Sequence, residues 1–156
     1  MSKLDCEQLG LGNGSVAWSP NYIGENVIVG FDCNIGALSH IGNEVILGNR
    51  VRVQGGAYIA NKCVIKDDVF IGPNSTLLND KYPPSGDSEK WMPVVVEARA
   101  VIGGGSTVLP GVVVGENSVL AAGAVLTKNI PPGEVWAGNP AKYLMSRMEY
   151  EVARDE

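Results

Sequence analysis

The chain has 156 residues, 45% of them hydrophobic and 19% charged, with 17 acidic against 12 basic side chains and a net charge of −5. That composition excludes a disordered chain, and no apolar run approaches the ~20 residues of a membrane-spanning helix, so one soluble domain covering residues 1–156 is expected. An acidic balance gives no footprint for nucleic acid or an anionic bilayer, so any anionic ligand has to be met by local cations.

The opening M-S-K-L-D-C-E has no apolar core behind a basic head, which predicts no secretory signal and a cytoplasmic location. The sequons at Asn13 and Asn74 are then expected to be coincidental. Residues 1–10 precede any repeat and are predicted to form a short, helical cap over an otherwise open strand edge.

From Leu11 a six-residue rhythm takes over. Leu11, Ala17, Ile23, Val29, Ile35, Ile41, Leu47, Val53, Ile59, Ile65, Ile71 and Leu77 are expected to point inward. The usual unit is an aliphatic, a glycine, two polar or small residues, a small residue and a variable one, as in I35-G-A-L-S-H and L47-G-N-R-V-R. That period is too short for a helical repeat and too regular for a sandwich, and it predicts an all-β parallel β-helix of hexapeptide repeats. Glycine and asparagine are assigned to corners that tolerate positive φ. Three hexads make one triangular coil, so residues eighteen apart stack, and about six coils at ~4.8 Å give a prism ~29 Å long.

This stacking predicts an outward column of Tyr22, His40, Tyr58 and Thr76. A second outward column, Ile28, Ile46 and Val64, is apolar, and Val101, Val113, Val119 and Val125 continue the habit. Outward aliphatics in register predict a covered surface, for which self-association about a three-fold axis is the natural solution. Cys33 and Cys63 fall four residues after an inward aliphatic and are read as core filler. With one histidine and no C-x-x-C pair, neither a disulfide framework nor a metal site is expected.

The rhythm breaks after Leu77 and resumes, offset by one, at Val96, Ile102, Val108, Val114, Leu120 and Leu126. Residues 79–95, with Asn79, Asp80, adjacent prolines and Trp91, are therefore predicted to be a loop extruded from a rigid frame, where function commonly sits. After Leu126 the prolines 131, 132 and 140 punctuate the chain, and a short helix is predicted over about 141–154 with Leu144, Met148 and Val152 on one stripe.

The hexads, the loop entry F-I-G-P-N-S-T-L-L-N-D at Phe70–Asp80 and V-W-A-G-N-P-A-K at Val135–Lys142 together resemble the hexapeptide-repeat acyltransferases. Within them the chain looks most like the N-acetyltransferases of nucleotide-linked amino-deoxy sugars, which share an S-H ahead of the loop and N-D within it. The resemblance implies a left-handed β-helical homotrimer with acetyl-CoA in a groove between subunits, acting on a nucleotide-sugar substrate. It implies Gly104 and Ala122 as main-chain contacts of the pantetheine arm, and Lys128 and Lys142 as partners of the coenzyme phosphates. Relatives carry a basic residue after the loop proline, whereas here Pro83 is followed by Pro84 and Ser85.

An amine attacking a thioester has to be neutral, aimed, and able to shed a proton. A sugar amine titrates near an α-amino group, roughly 8, so a neutral fraction exists without a strong base. The carbonyl of Asn79 can hold the amine's hydrogens, and Asp80 can accept a proton or orient neighbours. His40 is the one side chain whose ordinary pKa suits general-base work near neutrality. Tyr58 serves as a wall or hydrogen-bond donor for the acceptor. The rival readings are an O-acetyltransferase with His40 as base, a non-catalytic β-helix assembly subunit, and a metal-dependent hydratase, which needs several histidines.

Overall fold

The computed structural model describes residues 6–156, and the first five residues of the predicted cap lie outside that range. The chain folds as a left-handed parallel β-helix of triangular section. Its first face stacks seven parallel strands: Ser15–Trp18, Asn34–Ile35, Arg52–Val53, Phe70–Ile71, Val101–Ile102, Val119–Leu120 and Glu134–Ala137. The second face stacks Tyr22–Ile23, His40–Ile41, Tyr58–Ile59, Thr76–Leu77, Thr107–Val108 and Val125–Leu126. The third stacks Ile28–Val29, Ile46–Leu47, Val64–Ile65, Val95–Val96 and Val113–Val114.

Each two-residue strand puts one side chain out and one in, so the inward aliphatics from Ile35 to Leu126 are buried and form the core. The loop absorbs its odd residue without disturbing this order, because Ile65 pairs with Val96 as Ile59 pairs with Leu77. Truncating one such residue, Ile59→Ala for instance, removes a fully buried side chain and costs about 2–5 kcal/mol. Buried serines fill several small positions and donate to the carbonyl three residues back, Ser75 to Gly72 at 2.8 Å and Ser39 to Gly36 at 2.7 Å. Cys33 and Cys63 are buried as expected, and burial pushes the Cys63 thiol up to about 11, so it stays protonated and inert.

The corners differ from the sequence expectation. Positive φ recurs every six residues but is carried by Leu38, Glu44, Arg50 and Lys62 as readily as by asparagine. The glycine after each aliphatic has another cause: a Cβ on Gly36 or Gly48 would strike the backbone of the next coil. Close approach between coils, rather than torsional freedom, selects glycine there.

Both ends also differ. Gln8–Gly12 is a strand paired antiparallel with Ser15–Trp18, not a helix, and Leu11 is exposed rather than inward. At the other end Lys142–Ser146 is a strand antiparallel to Glu134–Ala137, and the helix begins only at Arg147, running to Asp155 behind a Ser146–Glu149 capping box. A hairpin satisfies the outermost strand's backbone groups, which a helix with internal hydrogen bonds cannot do. The helix buries none of its residues, and Leu144, Met148 and Val152 are all exposed.

Candidate functional site

On the second face the outward column is Tyr22, His40, Tyr58, Thr76, Thr107 and Val125 in direct register. The coil spacing holds aromatic rings at stacking distance, so His40 is sandwiched between Tyr22 (centroids 4.6 Å, interplanar angle 15°) and Tyr58 (4.5 Å, 13°). Partial burial in this stack lowers the His40 pKa, which keeps the imidazole neutral at physiological pH. His40 lies two coils from Thr76, the residue that leads into the loop.

At the corner beyond this face runs an asparagine ladder. Asn43 Oδ1 accepts from the Glu25 N–H at 2.9 Å, and Asn61 Oδ1 accepts from the Asn43 N–H at 2.9 Å. Asn79 is the next rung, but the chain leaves the helix here and the pattern inverts: Asn79 Nδ2 donates to the Asn61 carbonyl at 3.3 Å. Among the described residues Asn79 Oδ1 takes no hydrogen bond, so its lone pairs are available to a ligand. The Asn79 carbonyl accepts from the Met92 N–H at 2.6 Å and closes the loop's base.

Asp80 next to it is engaged by the loop itself. Its carboxylate accepts from the Ser85 N–H at 2.9 Å and the Tyr82 N–H at 3.2 Å, and these bonds, Ser85 first, hold its pKa below the usual range. A carboxylate so held is a weak base, and it shapes the loop tip. A cavity of about 270 Å³ opens beneath the loop, lined by Asp80, Lys81, Pro83, Leu109, Pro110 and Thr127 among others.

Lys128 and Lys142 meet at one cleft of about 290 Å³, with Thr127, Trp136, Pro140 and Tyr143. The chain from Gly138 to Ala141 runs beside Val125, which brings Lys142 against the end of the second face. Neither lysine has an ion-pair partner among the described residues, and Thr127 lines this cleft and the loop cavity alike. Gly104 and Ala122 lie instead at the corner between the first and second faces, where neither N–H is hydrogen-bonded among the described residues. Ala122 borders a separate apolar cavity of about 480 Å³ with Phe70, Val101, Leu144 and Tyr150. The structure thus gathers the two lysines at one cleft, which Gly104 and Ala122 do not themselves line. A larger concavity, about 570 Å³, is elsewhere, at a corner where Arg50 pairs with Asp68 and Arg99 with Glu116.

The family described as "hexapeptide repeat of succinyl-transferase" matches residues 26–61 and 93–128, the coils on either side of the loop. This chain belongs to the hexapeptide-repeat family. A candidate acetyltransferase of Saccharomyces cerevisiae is 37% identical over 119 residues, covering 73% of this hexapeptide-repeat chain and 59% of that protein. A 2,3,4,5-tetrahydropyridine-2,6-dicarboxylate N-acetyltransferase of Staphylococcus aureus is 35% identical over 89 residues, covering 57% of this chain and 35% of its own. The chain therefore spans about three-fifths and one-third of the lengths of these relatives. Among solved structures, a variant of perosamine N-acetyltransferase from Caulobacter crescentus, in complex with CoA and GDP-perosamine, superposes with a TM-score of 0.73 at 25% identity. That alignment covers 85% of this chain and 57% of the other.

Within this hexapeptide-repeat frame, sequence reasoning missed Thr127, Trp136, Tyr143 and Lys81 as lining residues. Trp136 carried a signal, being the only tryptophan beyond the loop, and its indole is anchored by donating to Glu134 at 2.7 Å. Thr127 and Lys81 carried none.

Proposed function

We propose that this chain transfers an acetyl group from acetyl-CoA to the amino group of a nucleotide-linked amino-deoxy sugar. The observation that carries the reading is the pair of adjoining cavities that share Thr127, one under the loop entered through Asn79, the other flanked by Lys128 and Lys142. The lysine cleft suits the phosphates of coenzyme A in an acidic protein, and the loop cavity suits the acceptor. Gly104 and Ala122 offer free backbone donors to the pantetheine arm along the adjacent corner. Nitrogen attacks the thioester carbonyl, the C–N bond forms as the C–S bond breaks, and the proton leaving nitrogen goes out with the departing thiolate. Asn79 Oδ1 aims the amine, while Asp80 holds the loop and His40 braces the aromatic column beside it.

The acceptors named for the Staphylococcus aureus and Caulobacter crescentus proteins, a dicarboxylate and a nucleotide sugar, share negative charge, which Lys81 at the loop cavity is placed to meet. The third face supports assembly as a homotrimer: Ile28, Ile46, Val64, Val95 and Val113 form one unbroken outward apolar column. Of the other outward valines, Val101 and Val119 stand on the first face and Val125 on the second, so they do not extend it. No helix among the described residues is long and apolar enough to cross a membrane, and a cytoplasmic site, where acetyl-CoA is made and used, fits the reading.

The test is coenzyme A release from acetyl-CoA with a panel of acceptors. GDP-perosamine, UDP- and dTDP-linked amino-deoxy sugars and tetrahydropyridine dicarboxylate form one arm, and the hydroxyl counterparts of the sugars form the other. Turnover confined to amino sugars supports the proposal. Turnover confined to hydroxyl sugars and abolished by His40→Ala replaces it with O-acetyl transfer.

A further inference from the structure

The loop cavity is small and carries one unmatched charge. At about 270 Å³ it falls below the ~300–1,000 Å³ of sites that enclose a drug-sized ligand, so it holds one ring with the groups directly on it and not a whole nucleotide. Its walls are Leu78, Pro83, Leu109 and Pro110, and its polar lining is Asp80, Lys81 and Thr127. Asp80 directs one carboxylate oxygen at the Tyr82 N–H and the other at the Ser85 N–H. Lys90, the other basic residue of the loop, pairs with Asp87 at 3.5 Å and does not line the cavity. Lys81 makes no ion pair among the described residues. Its ammonium lies 5.7 Å from the centroid of the Tyr82 ring, which is itself exposed. A cation left in this state beside largely apolar walls is a partner for an anion that the ligand brings.

We propose that Lys81 selects acceptors carrying an anionic group directly on the small unit that bears the amine, and that any nucleoside beyond that group goes unread. This rests on the amine-acceptor reading above and deepens it. A sugar phosphate and a carboxylate both supply the charge at the required place. A nucleoside joined through the phosphate lies outside a cavity of this size and takes no part in recognition. The ion pair forms when the acceptor binds and persists through acyl transfer, so its loss falls on KM and spares kcat.

The experiment measures steady-state kinetics at saturating acetyl-CoA with three forms of the amino sugar turned over fastest in the panel above, GDP-perosamine being the first tried. The forms are the nucleotide-linked sugar, its 1-phosphate and the free sugar. Tetrahydropyridine dicarboxylate and its uncharged diamide make a second set, which tells a carboxylate source of the charge from a phosphate one. The anionic forms of the sugar are expected to share one KM, and the neutral form of each set to need a KM about five- to twentyfold higher at similar kcat. Lys81→Met should raise KM for the anionic forms by that factor and leave the neutral forms unchanged, while Lys81→Arg keeps the parent's preference. Lys90→Met, at a lysine already paired, should match the parent throughout. A 1-phosphate no better than the free sugar overturns the proposal and leaves N-acetyl transfer standing. So does a Lys81→Met loss that is absent, or equal for charged and neutral acceptors. If the parent protein acetylates no amine in the panel, both the selection and the activity it rests on are wrong.

Discussion

Below the loop the second face stacks Tyr22, His40 and Tyr58 ring on ring; above it the same register carries Thr76, Thr107 and Val125. Backbone pairing is the same in both halves, so side-chain volume alone distinguishes a filled aromatic column from an open ledge bordered by cavities. The corner alongside shows a parallel contrast. Asn43 and Asn61 use their side-chain carbonyls to tie one coil to the next, and Asn79 does not. A repeat that keeps its frame and abandons its filling leaves unpartnered groups on rigid backbone at no expense to the core, and the proposed ligand site draws on this.

The sharpest way to break this contrast is to treat two rungs of the ladder alike. Asn79→Ala is expected to lower kcat about five- to a hundredfold while raising KM less, because aiming the amine matters most as nitrogen approaches carbon. Asn61→Ala removes a coil-to-coil hydrogen bond worth about 1 kcal/mol, which should lower Tm by about 2–4 °C and leave steady-state kinetics near the parent's. Steady-state assays and thermal melts on both variants decide it, and equal kinetic losses would show that Asn79 is simply another structural rung.

Next in size is the lysine cleft. Removing Lys128 and Lys142 together should weaken coenzyme A binding by about three- to thirtyfold in low salt and flatten its dependence on ionic strength, as expected for exposed cation–phosphate pairs. Calorimetric titration at two salt concentrations measures both effects, and unchanged affinity would mark the pair as ordinary surface residues.

His40 offers a smaller effect. If it braces the column without acting as an obligatory base, His40→Ala should lower the rate less than about tenfold between pH 6 and 9. A loss of a hundredfold or more, with Asn79→Ala nearly normal, would hand the mechanism to a histidine-driven acyl transfer.

The smallest expected effect is on stability. Burial holds the folded-state pKa of His40 below its ordinary 6.5, so the unfolded chain binds more protons between those two values. Stability from this group is therefore fully present above pH 6.5 and is lost as pH falls toward the folded pKa. His40→Gln should remove that slope from a plot of Tm against pH, and an unaltered slope would assign it to carboxylates.

The coil register was legible because a period of six fixes which residues stack at eighteen, and stacking at strand spacing admits few alternatives. Tyr22, His40, Tyr58 and Thr76 aligned as the sequence implied, and the loop left the frame where the rhythm broke. The ends were less legible, since an antiparallel hairpin at Gln8–Gly12 or Lys142–Ser146 is chosen by the need to satisfy an open edge, a demand that exists only once the coils are assembled. At the site, lysines 128 and 142 could be picked out as cations but not seen to share a cleft, and Thr127 gave no local sign of joining two cavities.

By itself the sequence determined the fold, the inward core, the outward columns and the position of the loop, all consequences of a strict short period acting on strand geometry. Only the tertiary structure decided that Asn79 Oδ1 is left without a partner while those of Asn43 and Asn61 are taken, since the three are the same residue at the same spacing and differ only in whether the chain beyond them stays in the helix.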